Sequence, residues 1–281
     1  MSAAADHDPK PPIRWGTHVF LASVVVVTLF PVLWVVKMAL RPDQTFATGL
    51  NPLPTTFSLD NFRDLLAAPN FWRQLGNSVL VSAVTTVAGV FLACTAAYAF
   101  SRFRFPGRRA GLMAFLVTQM FPGTMMMIPL YQVLDHLGLL DRLLGLVLVY
   151  STTAIPFCVW QLKGYFDTIP RDLEESALMD GAGQFTIFWR IILPLSRPAI
   201  AVTALFSFMT AWNEYILAAT FMSDEKAYTL PVQLQQYVGA YTTEWGHFAA
   251  GALLVSAPVM ALFFVLQRHL VGGLTAGGVK G

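Results

Sequence analysis

Four neighbouring side chains, Trp212, Asn213, Glu214 and Tyr215, form the group best suited to bind a polar ligand. An aromatic ring can pack against the C–H face of a sugar, while an amide or a carboxylate can hydrogen-bond its hydroxyl groups. Of the sixteen acidic residues, only Glu214 falls well inside an apolar segment, where a carboxylate costs at least about 2.5–3.5 kcal/mol. The group therefore predicts a wet path for a polar solute. The alternative is that Glu214 pairs with a polar group of a partner chain and only holds an assembly together.

A polar segment at residues 161–196 has the pattern of two short helices joined by a turn. Pro170 suits the first position of a helix, and the acids that follow it favour the positive end of the helix dipole. Asp180 and Gly181 supply the break, because glycine adopts positive φ angles without steric cost. An apolar stripe with helical spacing follows, made of Phe185, Phe188, Trp189 and Ile192. Such a stripe fits either the headgroups of a membrane or a groove on a partner protein.

Motifs of catalysis and of metal binding are absent from the sequence. There is no G-x-x-x-x-G-K-[ST] phosphate loop, so the chain is not itself an ATPase, and there is no H-E-x-x-H or G-x-S-x-G motif. Cys94 and Cys158 lie in apolar segments without metal-ligand spacing, and we interpret them as small core residues. A net charge of +2 without a basic patch argues against nucleic acid. We expect a non-catalytic protein with no metal or cofactor of its own.

The composition indicates a membrane protein. Hydrophobic residues make up 56% of the chain and charged residues 12%, whereas a soluble domain averages about 45–50% and about 25%. The first apolar segment is too long for the core of a signal peptide, so we expect it to remain as a helix. A bilayer crossing needs about 20 apolar residues. Six segments qualify: 15–38, 77–100, 110–133, 143–166, 197–222 and 247–270.

Lysine and arginine are distributed unequally between the loops that join these segments. If the N-terminus is cytoplasmic, twelve of them lie on the cytoplasmic side and five lie outside. Residues 101–109 alone hold four arginines and no acid. By the positive-inside rule, the sequence predicts a multi-pass protein with both termini in the cytoplasm.

The polar segment 161–196 also resembles a family signature. Binding-protein-dependent ABC import permeases carry the pattern E-A-A-x-x-x-G, then nine residues, then I-x-L-P. The matching positions in this chain are Glu175, Ala177, Gly181, Ile191, Leu193 and Pro194. Ser176 stands where the second alanine is usual, and this small-for-small change should still pack.

The resemblance implies a role for the predicted helix hairpin. In that family the hairpin docks in a groove of an ATPase subunit and couples it to the membrane-spanning helices. Glu175 would then make a charge contact and Gly181, after Asp180, would permit the turn. Phe185 and Phe188 would be the buried side of the joint with the ATPase.

Three further segments resemble carbohydrate permeases of the maltose-importer type. They are 96–107, 236–246 and 273–281. In that type the second of these, an external loop, inserts into the sugar cleft of a binding protein, and the C-terminal tail reaches between two ATPase subunits. Tyr241, Glu244 and Trp245 would then probe or displace the ligand. The alternative is an aromatic loop that rests at the level of the lipid headgroups.

Taken over the whole chain, the resemblance implies an all-α membrane protein with six transmembrane helices. The expected architecture is the type I ABC importer permease fold with a cytoplasmic two-helix coupling loop. The expected divisions are a cytoplasmic tail at 1–14, a first helix and external loop at 15–76, a transmembrane core at 77–271 with the coupling loop near 167–194, and a cytoplasmic tail at 272–281.

The same resemblance implies a sugar-importer subunit of the inner membrane. Its partners would be a related permease as a heterodimer, two ABC ATPase subunits that bind ATP and Mg²⁺, an external sugar-binding protein and membrane lipid, with no nucleic acid. Two alternatives remain: an ion-coupled secondary transporter, or an ABC importer permease for a non-sugar solute. A secondary transporter predicts inverted repeats or several buried acids, and the sequence has neither.

Overall fold

The computed structural model describes residues 15–49, 51–239 and 241–276, with side chains described as far as residue 267. Within these ranges the regular secondary structure is helical, apart from one isolated antiparallel bridge between Val238 and Thr243, and irregular loops join the helices. The predicted N-terminal tail lies outside the described residues. Part of the predicted C-terminal tail belongs to the last helix, which continues to Ala276, and the rest of it lies outside the described residues.

Thirteen α-helices follow one another along the described part of the chain. They are α1 (Trp15–Ala39), α2 (Asp60–Ala67), α3 (Phe71–Arg102), α4 (Arg108–Met120), α5 (Met127–His136), α6 (Leu143–Phe166), α7 (Asp172–Met179), α8 (Gln184–Ile187), α9 (Leu193–Leu195), α10 (Arg197–Trp212), α11 (Ile216–Phe221), α12 (Leu230–Gln235) and α13 (Trp245–Ala276). A 3₁₀ turn at Gly123–Met126 precedes α5, and a π-helical turn at Phe188–Ile192 joins α8 to α9.

Four of the helices, α1, α3, α6 and α13, are long and apolar enough to cross a membrane. At 1.5 Å per residue, the 32 residues of α3 extend over about 48 Å, more than the roughly 30 Å of a hydrocarbon core. These helices confirm four of the six predicted spans. Apolar content and length were sufficient to find them because each is a single continuous run.

The other two predicted spans are not single straight helices. In the segment predicted at 110–133, α4 and the helical segment Gly123–His136 are bent by 96°. Pro122, at this bend, has no N–H to continue the helical hydrogen bonds. In the segment predicted at 197–222, α10 ends at Trp212 and α11 begins at Ile216, and α10 is itself bent by 76° from the segment Gln184–Leu195 before it.

The centre of the bundle is formed by α3 packed along α6. Residues of small volume lie at this contact, among them Ala93, Cys94 and Ala97 on α3 and Cys158 on α6, and each is at most 5% exposed. Small side chains allow two helices to approach closely in a membrane. Both cysteines are free, which confirms their interpretation as small core residues.

Helix α1 lies at the edge of the bundle. Its only buried residues are Lys37, Met38 and Ala39 at its final turn, where it meets α2 and α13. The rest of the helix exposes large apolar side chains such as Phe20 and Val27. This surface must be covered by lipid or by another protein, because water would not solvate it favourably.

The bundle has two distinct ends. The hairpin end holds the C-terminal ends of α3 and α6 and residues 167–195, and this last segment is called the hairpin. The loop end holds residues 37–76 and 223–247. Asn77 near the start of α3 fixes the loop end, since its Nδ2 donates to the carbonyls of Lys226 and Tyr228, each at 2.9 Å.

Candidate functional site

The hairpin begins with α7 and turns at Gly181. Gly181 has φ of +83°, its N–H donates to the Leu178 carbonyl at 3.0 Å, and the N–H of Ala182 donates to the Ala177 carbonyl at 2.9 Å. This pair of bonds is the Schellman arrangement that closes a helix C-terminus. The predicted pair of short helices with a glycine turn is therefore present, whereas the π-helical turn in its second half was not predicted.

The predicted apolar stripe of the hairpin is divided between two surroundings. Phe188 is 6% exposed and Ile192 is fully buried, and the Phe188 ring lies 5.0 Å from that of Tyr98 on α3. Phe185 is 76% exposed. The hairpin thus folds back on α3, and Phe188 belongs to the core of its own chain, so Phe185 is the exposed member of the pair predicted for the joint with a partner, and that joint stays a prediction.

The outer surface of the hairpin combines acids with apolar side chains. Glu175, Asp180, Met179 and Phe185 are exposed, and these four residues are called the hairpin tip. The three remaining predicted residues are half-buried behind it: Ala177, Leu193 and Pro194. The hairpin tip is therefore an exposed patch of mixed apolar and acidic character at the end of a closed turn.

Glu174 is a buried, paired acid that the sequence analysis did not single out. It is buried, whereas the neighbouring Glu175 is exposed. Its carboxylate pairs with Arg102 at the end of α3 and accepts a hydrogen bond from Tyr98. Adjacent residues on a helix point about 100° apart, so two successive acids on a packed helix already indicate that one of them faces inward.

The four residues of the predicted solute path do not share one surface. Trp212 is 1% exposed, stacks on Phe208 at 5.5 Å and donates its indole N–H to the Val255 carbonyl at 3.1 Å. Trp212 packs α10 against α13 in this chain, and its expected place on a path stays a prediction. Asn213 and Tyr215 are exposed.

Glu214 caps the helix that follows the break. Its carboxylate oxygens accept hydrogen bonds from the backbone N–H groups of Leu217 at 2.9 Å and Ala218 at 3.0 Å. The hydroxyl of Tyr150 on α6 also donates to it, at 2.9 Å. The first N–H groups of a helix have no intrahelical partner, and a carboxylate there also complements the helix dipole. Neither interpretation of Glu214 from the sequence included this role, which needs no partner chain.

A cavity of about 310 Å³ lies between the bend after α4 and the start of α11. Thr118 and Phe121 border it on one side, Thr152 on α6 on another, and Leu217 on α11 closes it. The two irregular stretches of backbone therefore meet at one place. Interrupted helices in a membrane are tolerated where they line a cavity.

The predicted loop at 236–246 is a tight turn on the loop end. The N–H of Glu244 donates to the Tyr237 carbonyl at 2.9 Å, and Tyr241 projects from the turn fully exposed. Trp245 instead packs edge-on against Phe46 at 5.0 Å. The half-buried Trp245 ring lies in the contact between α13 and the long first loop, and its expected role toward a ligand stays a prediction.

The base of this turn is held by a polar cluster. The Nδ1 of His247 lies 2.7 Å from a carboxylate oxygen of Glu244, and its Nε2 lies 3.3 Å from Asp64 on α2. The N–H of His247 donates to Gln44 at 3.0 Å. These bonds attach the turn to α2. Of Tyr241, Glu244 and Trp245, which the sequence predicted to face a ligand, Tyr241 is the one that projects into solvent without such contacts.

Residues 85–275, more than half of the chain, match the family described as "Binding-protein-dependent transport system inner membrane component". The sequence is 40% identical, over 95% of this chain and 96% of the other, to the maltose/maltodextrin transport system permease protein MalG of Vibrio vulnificus. It is 37% identical to the trehalose transport system permease protein SugB of Mycobacterium tuberculosis, over 92% and 94% of the two chains. The galactooligosaccharides transport system permease protein GanQ of Bacillus subtilis is 38% identical, over 94% and 95%.

The fold is also that of a solved transporter chain. A bacterial ABC transporter that imports the acidic polysaccharide alginate contains a chain of TM-score 0.75, which is 24% identical and covers 90% of this chain and 95% of its own. This likeness explains the arrangement of the spans, the bent segments and the hairpin as one family architecture, the type I ABC importer permease fold. The chain belongs to the family of binding-protein-dependent transport system inner membrane components.

Proposed function

We propose that this chain is one of the two membrane-spanning permease subunits of an ATP-driven importer of sugars, of the maltose or oligosaccharide class. The proposed substrate class rests on one observation. Three relatives from different bacteria are each named for transport of a carbohydrate, and they are 37–40% identical to this chain over more than nine-tenths of its length. In this proposal the chain forms half of the pore and a related permease forms the other half.

Energy would come from two separate ATPase subunits that bind ATP and Mg²⁺. The chain has no phosphate loop of its own, but its hairpin tip offers the exposed Glu175, Met179 and Phe185 to a partner. A pore opens and closes only if the partner makes different contacts with its two states. The hairpin is suited to respond to such a difference, because its tip is exposed and its base packs on α3.

The solute would pass along the surface that carries Asn213 and Tyr215. Both side chains are exposed on this single chain, at the break between α10 and α11. Leu217, on the helix that follows this break, lines the cavity of about 310 Å³. An amide and a phenol are suited to hydroxyl groups and to the C–H face of a sugar. At the loop end, Tyr241 would contact an external sugar-binding protein.

The orientation of the chain is tested by cysteine labelling. Tyr241 and Glu175 lie at opposite ends of the bundle, separated by the length of α3. In intact cells, a reagent that cannot cross the membrane should label Tyr241→Cys and spare Glu175→Cys, and permeabilised cells should label both. Cys94 and Cys158 are buried, so the unmodified chain supplies a low background. Labelling of position 175 alone from outside would reverse the proposed orientation.

The proposed assembly and substrate class are tested by co-purification. A tagged form of this chain should carry with it a second permease and an ATPase, and the external binding protein isolated with the complex should contain a carbohydrate that mass spectrometry identifies. The complex in vesicles should import that carbohydrate only when ATP is supplied, and the chain alone should neither hydrolyse ATP nor transport. Uptake driven by an ion gradient without ATP would instead favour a secondary transporter.

A further inference from the structure

Arg102, the last residue of α3, joins that helix to the hairpin. Its Nε donates to Glu174 on α7 at 2.5 Å, and its Nη2 donates to the carbonyl of Ile169 at 3.0 Å. The other carboxylate oxygen of Glu174 accepts a hydrogen bond from Tyr98 at 3.2 Å. We propose that Arg102 is a positioning residue that transmits movement of the hairpin to α3, an inference that rests on the proposed function.

The burial of this ion pair distinguishes it from a surface contact. The side chains of Arg102 and Glu174 are 7% and 11% exposed. An exposed ion pair is screened by water and contributes little free energy to stability. A buried carboxylate that loses its partner is instead left with a large desolvation penalty. If α7 moved away from α3, the two charges would separate, and at least one of them would be left buried without a partner or would have to become exposed to water.

A second set of bonds includes α6 in the same joint. The hydroxyl of Ser101 donates to Asp167 at 2.6 Å, and Asp167 also pairs with Lys163 on α6. Arg171, just before α7, reaches the Ser101 carbonyl at 3.4 Å. The ends of α3 and α6 and the start of α7 are thus connected through a few side chains, which are called the latch: Ser101, Arg102, Asp167 and Glu174.

The charge of Asp167 in the latch is set by its neighbours. Burial acts to raise the pKa of Asp167, but hydrogen bonds from Lys163 and Ser101 outweigh it and hold the pKa below its ordinary value of 3.8. Because the folded-state pKa is depressed, the stabilisation is complete at neutral pH and is lost only as the pH falls through that lowered pKa. Asp167 therefore keeps its negative charge, and its bonds to Ser101 and Lys163, over the physiological range.

The two hydrogen bonds of Arg102 indicate how a movement of α7 would reach α3. A tight bend such as Asp167–Arg171 could absorb a displacement of α7 if it were free. Here the side chain of Arg102 binds both the Ile169 carbonyl inside this bend and Glu174 beyond it. The planar guanidinium group holds two acceptors in a fixed geometry, which a flexible lysine would not. A displacement of α7 is consequently shared with α3.

The test compares Arg102→Gln with a matched control in the complete complex of both permeases, the ATPases and the binding protein. Arg104→Gln removes the same charge two residues away, where the arginine is exposed and makes no ion pair among the described residues. The measured quantity is the number of ATP molecules hydrolysed per molecule of solute imported. We expect Arg102→Gln to raise this ratio by about fivefold or more, the lower range of coupling between distant sites in proteins, and Arg104→Gln to leave it unchanged.

A second variant covers the case in which the single variant assembles poorly. Arg102→Met combined with Glu174→Gln removes both charges, so no unpaired buried charge remains. This double variant should restore the amount of assembled complex, because α3 and α7 still pack together. The number of ATP molecules hydrolysed per solute imported should stay raised, because the ion pair between the two helices is gone. A native ratio in the double variant, or in Arg102→Gln, would overturn the proposal.

Two further outcomes separate this proposal from its alternatives. If both variants lose the ATPase subunits, the latch only keeps the hairpin folded and the proposal is wrong. If the native complex imports a solute other than a sugar, the proposed substrate class is wrong. The latch is still tested in that case, because the ratio can be measured with whichever solute is imported.

Discussion

Gly181→Pro is expected to abolish uptake while the chain still inserts into the membrane. Gly181 has φ of +83°, whereas proline is fixed near −65°, so the turn cannot keep its shape. The substitution also removes the N–H that donates to Leu178. The hairpin tip would lose its position relative to α7, and the ATPase would lose its docking surface. Uptake by membrane vesicles and co-purification of the ATPase measure the two effects.

Two matched variants isolate the reason for this loss. Gly183→Pro makes the same change two residues later, where φ is −73° and proline fits, so we expect near-native uptake. In Gly181→Ala the added Cβ meets no atom within 4 Å. The substitution therefore only forces alanine into a left-handed backbone conformation, which costs about 1–2 kcal/mol. Its uptake should be intermediate. Full uptake by Gly181→Pro with the ATPases still bound would show that the hairpin is not a coupling element.

Glu214→Leu is expected to destabilise the complex as well as to reduce uptake. The change removes the acceptor for the N–H groups of Leu217 and Ala218 and for the hydroxyl of Tyr150. A buried donor left without a partner costs about 1–3 kcal/mol, and little water is present in a membrane to replace the lost acceptor. The expected loss is therefore at least about 2 kcal/mol, seen as a lower midpoint of thermal unfolding of the purified complex.

Other variants separate the cap from the path. Glu214→Gln keeps an acceptor oxygen and should retain most of the stability. It removes the negative charge from the N-terminal end of α11. Asn213→Ala leaves the cap intact and should change uptake or substrate preference without a shift in the unfolding midpoint, because Asn213 is exposed beside the break. If Glu214→Leu unfolds at the native temperature and transports normally, the capping role is wrong.

The roles of Gly181 and Glu214 differ in how far the sequence predicts them. The turn at Gly181 follows from the sequence alone, because a glycine between two helix patterns has a local meaning. The cap by Glu214 was not predicted, although the signal was present: an acid directly before an apolar run can bind the first N–H groups of a helix. The apolar stretch around Glu214 predicted an unbroken span, and that interpretation concealed the break between α10 and α11.

The membrane class, four continuous spans and the glycine turn of the hairpin were all predictable from the residues, and the family signature was recognised by its resemblance to known permeases. The first three follow from the length of an apolar run or from the backbone freedom of a few neighbouring residues. Both kinds of signal act over one helix or less. They need no knowledge of what lies beside the helix.

Only the tertiary structure decided which side of each helix is covered. Phe188, Trp212 and Trp245 are packed within their own chain, and Phe185 and Tyr241 are exposed. Likewise Glu174 faces Arg102 and Glu175 faces outward. In a soluble protein the apolar side of a helix identifies its buried face. For Trp212, inside a membrane span, an aromatic ring is as favourable against lipid as against another helix. In the hairpin and the loops, an apolar side chain can pack on its own chain or remain exposed for a partner. The pattern alone does not distinguish these surroundings, and tertiary packing decides them.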